Sequence, residues 1–200
     1  LSELKKNFAL RSPQLMQAVV EAYAERPAVG RRAHRIVTDA ASGRRSQQLL
    51  ERFDILTYRE LWAEVRGLAS LWQHDDDLRV RAGDLVAILG YGSVGFVMTD
   101  LACLHVGAVS VPLQNNAPMA TLQSIVREAE PRCVAASIEA LDEAVEMIVG
   151  GYAPPSLVVL DYCADDDDQR ERFERAATAL AAAGVKIQLL ALGEACALGK

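Results

Sequence analysis

Beyond Gly83, short continuous apolar runs alternate with longer segments whose apolar residues recur every three or four positions. The run 85–89, short, continuous and apolar, reads as a strand buried on both faces, and the runs 108–111, 133–136, 156–161 and 185–190 read as further strands. The segments 93–105, 118–129, 138–149 and 169–182 read as the helices between them, Pro118 suiting a first helical position because it has no amide to lose. Pro112 closes the second strand where a missing donor costs least. Parallel strands need such crossovers, so the alternation predicts an α/β fold: a mainly parallel sheet with helices on both faces.

The stretch before Gly83 has another style. Over 15–24 the spacing predicts a helix with Leu15, Val19, Val20 and Tyr23 on one face, stopped by Pro27. Short strands are expected at 26–30 and 35–38, and the polar, glycine-bearing stretch 39–45 reads as the turn of a small β-hairpin. Thr57 then opens a helix. Its hydroxyl caps the first turn while Glu60 reaches back to the cap amide, an arrangement that contributes about 1 kcal/mol. Leu61, Val65, Leu68 and Leu71 or Trp72 form the buried stripe, and Asp75, Asp76 and Asp77 end the helix in solvent. The expected organisation is a helix and hairpin region over 1–55, followed by an alternating β/α subdomain over 56–200.

The composition, 51% apolar and 24% charged, argues against disorder, and no apolar run approaches the roughly 18 residues of a membrane span. Lys5 and Lys6 are followed by a broken polar sequence, so no secretory signal is expected and the cytoplasm is the expected compartment. A net charge of −6 gives no general attraction to nucleic acid or anionic lipid. Lysine occurs only at positions 5, 6, 186 and 200, so the interior offers no ammonium for phosphate chemistry. Arg31, Arg32, Arg35, Arg44 and Arg45 cluster where a solvated hairpin exterior is expected. Cys103, Cys133, Cys163 and Cys196 lie too far apart for a zinc knuckle and are expected as buried free thiols. His105, close to a helix end, is expected to be structural and to interact with the helix terminus.

Two motifs invite chemistry. Gly90, Gly92 and Gly95 have the spacing of a dinucleotide-binding turn and stand between a strand and a helix. The carboxylate expected about 20 positions later, which holds the ribose, is missing from 109–116. The competing explanation is that the glycines ease a tight turn and let the helix pack close to the sheet. Asp165, Asp166, Asp167 and Asp168 suggest a metal site, but adjacent carboxylates point in different directions and stabilising a helix N-terminus explains them. No Gly-x-Ser-x-Gly elbow supports a serine triad.

The series Ala24-Glu25-Arg26-Pro27-Ala28, then Leu56-Thr57-Tyr58-Arg59-Glu60-Leu61-Trp62, then Gly83-Asp84, then Gly107-Ala108-Val109-Ser110-Val111-Pro112-Leu113-Gln114 resembles the opening of an adenylate-forming domain. With Asn115-Asn116-Ala117-Pro118 and Glu130-Pro131-Arg132, the chain is most similar to carboxylic acid reductases, relatives of the fatty acid–CoA ligases, over roughly 13–192. The resemblance implies a parent enzyme that uses ATP and Mg to turn a carboxylic or fatty acid into an acyl-AMP. A phosphopantetheine thiol then takes the acyl group and NADPH reduces it to an aldehyde. Remaining adenylation, carrier and reductase domains are the implied partners. A Ser/Thr/Gly run ending in Pro-Lys, the family's phosphate loop, is absent, and the chain starts at Leu1, so an incomplete adenylate-forming domain truncated before that loop is expected. No catalytic, cofactor-binding or metal residue is assigned, no cofactor is expected on these residues, and the isolated chain is expected to be inactive and sticky. Gln114 and Asn115, after a strand's carboxyl end, either border a pocket or form a plain loop. The alternatives are a fatty acid–CoA ligase fragment and a small dinucleotide-binding protein using Gly90, Gly92 and Gly95.

Overall fold

A computed structural model of the protein describes residues 12–200; the expectation made at Lys5 and Lys6 falls outside the described residues. The apolar runs become five short strands, β3 (Leu85–Leu89), β4 (Val109–Leu113), β5 (Cys133–Ser137), β6 (Ser156–Leu160) and β7 (Gln188–Ala191), all parallel, in the order β4-β3-β5-β6-β7. Successive side chains alternate between faces, so Val86, Ile88, Cys133, Ala135, Val158 and Leu160 feed one core while Ala87, Leu89, Val134, Ala136, Leu157 and Val159 feed the other. Helices α2 (Tyr58–His74), α3 (Val94–Val106) and α7 (Leu192–Leu198) cover the first face; α4 (Met119–Ala129), α5 (Leu141–Gly150) and α6 (Asp167–Ala182) cover the second. The expected α/β class, with helices on both faces of a parallel sheet, is what forms.

Local chemistry sets most helix ends. Thr57 and Glu60 make the expected capping box on α2. Pro118 is the cap of α4 and not its first residue, because its extended ψ of 138° precedes the first turn. A single 3-10 turn over Ile138–Ala140 separates β5 from α5, where one continuous helix was expected. Helix α7, not foreseen from the sequence, crosses α2 where Gly67 removes a side chain: a Cβ there would lie 2.5 Å from the Cys196 carbonyl oxygen.

The front of the chain departs further. Helix α1 (Ser12–Ala22) docks through Met16 and Val20, while Leu15 and Tyr23 stay exposed, so the expected apolar face is rotated. The two short strands expected at 26–30 and 35–38 are one strand, β1 (Pro27–Thr38), paired antiparallel with β2 (Arg45–Thr57), which the sequence reading missed. The turn between them is as expected. Asp39 Oδ1 accepts from the amides of Ala41 and Ser42 at 3.1 and 2.7 Å, and Gly43 takes a left-handed φ of 70°.

One electrostatic expectation needs refinement. Arg44 and Arg45 lie on the solvated side of the hairpin, with side chains 47% and 40% exposed, but they are not free: they reach the start of α6, Arg44 pairing with Asp168 at 2.6 Å and Glu171 at 2.8 Å, Arg45 with Asp165 at 3.1 Å. The physical reason is that both neighbours are acidic, while sequence separation hides the encounter. His105 stands in the last turn of α3, where a structural role was expected. Its ring packs edge-on against Trp62 at 5.4 Å, and burial, then the nearby Arg66 charge, lowers its pKa.

Candidate functional site

In a sheet of this order the winding reverses between β3 and β5, and the crevice outside their carboxyl ends is where such folds place ligands. The nominated glycines and the Gln114–Asn115 loop lie at these strand ends, whereas the nominated Asp165–Asp168 run lies at the start of α6. Gly90, Tyr91, Gly92 and Ser93 follow β3, Gln114 and Asn115 follow β4, Ser137 ends β5 and Asp161 follows β6.

The glycine turn has a packing role. Gly90 lies against Ser137, where an added Cβ would come within 3.0 Å of the serine Cβ; at Gly95 it would come within 3.1 Å of Leu160 Cβ and Asp161 Oδ1. Gly92 faces open space, and none of the three is among the left-handed glycines. The helix packs close to the sheet, as the competing explanation held, yet no left-handed turn geometry is required of them.

The amino end of α3 is already served by the protein. Ser93 Oγ accepts from the Phe96 amide at 3.1 Å, and Asp161 Oδ1 from the Gly95 amide at 3.3 Å. Asp161 holds a left-handed φ of 56° to aim its carboxylate there. A dinucleotide pyrophosphate needs those amides and the positive end of the helix dipole, and here a resident carboxylate faces it instead. The geometry removes the basis of the dinucleotide-binding alternative. Asp161 is the functional-edge residue that sequence reasoning missed; the signal available was an acid immediately after an apolar strand.

Other groups add little phosphate chemistry. Lys200 Nζ is engaged by Glu64 at 2.6 Å, which raises its pKa. Among the described residues no group of three or more His, Cys, Asp or Glu side chains is placed to hold a metal. The four aspartates cap and anchor. Asp166 accepts from Gln169 N at the start of α6 and, through its other oxygen, from Gln47 N of β2 at 2.9 Å, while Asp167 accepts from Arg45 N at 2.7 Å. These residues therefore do not by themselves fit ATP with Mg, or NADPH. Two buried oxygens at the edge, Ser137 Oγ and Asn115 Oδ1, have no hydrogen-bond partner among the described residues, and Gln114 is exposed with its carbonyl closing the loop onto Ala117 N at 3.1 Å. Gln114 and Asn115 thus belong to a loop at the crevice and make no cradle of their own.

Cys103, Cys133 and Cys196 are buried and Cys163 half-buried, all free. Burial pushes Cys133 and Cys196 up to about 11. A groove of about 930 Å³ between α5 and α6, floored by Val145, Val149, Ala179 and Ala183, has no Ser, Cys, His or Lys among its lining residues and lies away from the strand ends.

The sequence pattern of the AMP-binding enzymes matches residues 25–183. A carboxylic acid reductase of Mycobacterium tuberculosis is 48% identical over 179 residues, 90% of this chain and 15% of the relative. The adenylation domain of the Segniliparus rugosus carboxylic acid reductase, solved with AMP and a co-purified carboxylic acid, superposes with a TM-score of 0.92 at 35% identity over 96% of this chain and 30% of its own. The A-PCP didomain of the same enzyme, solved with AMP, gives 0.91 at 35% identity over 96% and 27%. CoA ligases share the fold at 16 to 18% identity, with TM-scores of 0.56 to 0.58, so the reductases are the nearer relatives. The chain spans about one sixth of the curated reductases it matches and under a third of the solved adenylation-domain chains. No helix among the described residues is long and apolar enough to cross a membrane. The chain belongs to the AMP-binding enzyme family.

Proposed function

We propose that this chain is the N-terminal part of the adenylation domain of a carboxylic acid reductase. The parent enzyme activates a carboxylic or fatty acid as acyl-AMP with ATP and Mg, loads it on a phosphopantetheine thiol of a carrier domain, and reduces it with NADPH in a reductase domain. One observation carries the reading: 96% of the chain superposes on a reductase adenylation domain with a TM-score of 0.92 at 35% identity.

The division at residue 55 between a helix and hairpin region and the alternating subdomain belongs to the same proposal, as does a cytoplasmic location. The role of these residues is support. Asp161, Ser93 and the close-packed Gly90 and Gly95 fix the strand-to-helix turn at the sheet's carboxyl edge, and Ser137 and Asn115 present uncharged oxygens beside it. The first half-reaction joins two anions and needs a cation and a ring of donors. The described residues supply neither at that edge, so we assign them no catalytic step.

Carboxylate-dependent ATP–pyrophosphate exchange tests this. The full-length polypeptide that carries the chain exchanges label when supplied with an aliphatic or aromatic acid, and the isolated 200 residues do not. Exchange by the isolated chain sinks the proposal, as does a full-length polypeptide that binds neither acid nor ATP.

A further inference from the structure

The β1–β2 hairpin forms a two-stranded sheet of its own, and among the described residues no third strand pairs with it. Such a hairpin is marginal unless a face is covered. One face is covered already, since Ala28, Val29 and Leu56 pack against the core. The other is bare and apolar: Ile55 is 52% exposed and Phe53 55% exposed. The side chain of Ile55 lies over Gly30, where an added Cβ would meet its Cδ1 at 2.8 Å, and the Arg32 guanidinium stands 5.3 Å over the Phe53 ring. Leu49, further along β2, is 63% exposed.

Charge sharpens the picture. Residues 27–57 hold six arginines and three carboxylates, a net of +3 within a chain of −6. Arg44 and Arg45 are taken by α6, Arg52 by Asp54 and Arg35 by the Gln48 side chain, while Arg31 stands opposite Asp54 on the covered face; Arg32, on the face of Phe53 and Ile55, has no salt bridge among the described residues. Anchored at its tip by Asp166 and Asp167, the hairpin holds an apolar, cationic face in a fixed place.

We infer that this face is a docking surface for the rest of the adenylation domain, which seats apolar side chains on Phe53 and Ile55 and a carboxylate against Arg32, the arginine that the register places on the same face. The inference rests on the proposed function. Solved adenylation-domain chains that overlay 96% of this chain are more than three times as long, so the missing partner is large and covalently near. The α5–α6 groove offers the opposite chemistry, an apolar floor with the acidic rim of Asp142, Glu146 and Glu174, and fits this partner less well.

Hydrogen exchange on the full-length polypeptide and on the isolated 200 residues tests the surface. Amides of 49–55 slow at least about tenfold in the full-length form. The double variant Phe53→Asp/Ile55→Asp leaves the melting temperature of the isolated chain unchanged and lowers that of the full-length form by about 5 °C or more. Unchanged exchange at 49–55, or new protection confined to α5 and α6, overturns the inference. Pyrophosphate exchange on the same full-length sample separates the two ideas: activity with an unprotected hairpin removes only the docking surface, and no activity with an unprotected hairpin removes both. Protection of 49–55 supports the surface whether or not that sample is active.

Discussion

The parallel sheet and the hairpin solve the same problem, holding strands in register, by different means. Each central strand is five residues long and apolar on both faces, so a slip of one residue would leave cores of different shape facing the wrong helices. The hairpin strands run 12 and 13 residues, stay largely exposed, and pair with two register shifts. Their order comes from a turn organised by Asp39 at one end, the Thr57 cap at the other, and carboxylates of α6 that receive the amides of Arg45 and Gln47. Burial fixes the first region from within; polar contacts borrowed from residues some 120 positions away fix the second.

The largest effect that separates the regions is a truncation in each. Leu157→Ala empties a fully buried position between the sheet and its helices and costs about 3 kcal/mol, whereas Phe53→Ala in the isolated chain changes stability by no more than about 0.5 kcal/mol. Urea denaturation of both variants measures the contrast. Equal losses would mean that the hairpin already shares the core and that the two regions are not distinct.

Next in size is the joint between them. Asp166, 7% exposed, caps α6 with one oxygen and holds Gln47 N with the other. Replacing it with alanine removes both contacts, a loss of about 1 to 2 kcal/mol. Serine keeps a capping oxygen but has no second one to reach β2. Asp166→Ser is therefore expected to recover most of the global stability while leaving faster amide exchange at residues 45–48. If serine restores exchange there as well, the hairpin tip is held by something other than Asp166.

The same contrast explains what the sequence disclosed. Strands buried on both faces write themselves as apolar runs, so Leu85–Leu89 and Ser156–Leu160 were readable, as was the Thr57 box, whose partners are three residues apart. β2 was not readable, because Arg45–Thr57 mixes arginine, glutamine and acid with its apolar residues and takes its order from partners elsewhere. α7 escaped because seven residues give barely two turns of periodicity. At the candidate site the glycine spacing was visible, but its meaning depended on Asp161, 66 residues from Gly95, filling the place a phosphate would need.

pH sharpens the comparison because the two regions titrate in different windows. Asp167 is held below its ordinary 3.8, first by the Arg45 amide, and Glu171 below its ordinary 4.5, first by the Arg44 guanidinium. A carboxylate depressed on folding contributes stability that is present above its unfolded pKa and lost as pH falls through the folded one. The hairpin tip therefore loosens as pH drops below about 4, seen as faster exchange at residues 44–47. His105, depressed below 6.5 by burial against Trp62, follows the same sign at a higher pH: the α2–α3 contact weakens as pH falls through 6.5 towards the lowered value. His105→Phe is expected to flatten the stability profile near pH 6 and leave the hairpin-tip window untouched, whereas Arg44→Ala shifts only the acid window.

The smallest effect falls within a single turn. Gly95→Ala brings a methyl to within 3.1 Å of Leu160 and the Asp161 carboxylate, so those side chains must give by a few tenths of an ångström and the contact that serves the first turn of α3 is weakened. Gly92→Ala meets nothing within 4 Å and requires no left-handed backbone, so its stability is expected to stay within about 0.5 kcal/mol of the parent. A dinucleotide cradle would reverse that order for binding, because close backbone approach to a pyrophosphate tolerates no side chain at the central glycine. Titration of the unaltered chain with NADPH gives no saturable signal if Asp161 occupies the helix end, and saturable binding lost in Gly92→Ala would restore the nucleotide role to a turn whose contacts here are with its own sheet.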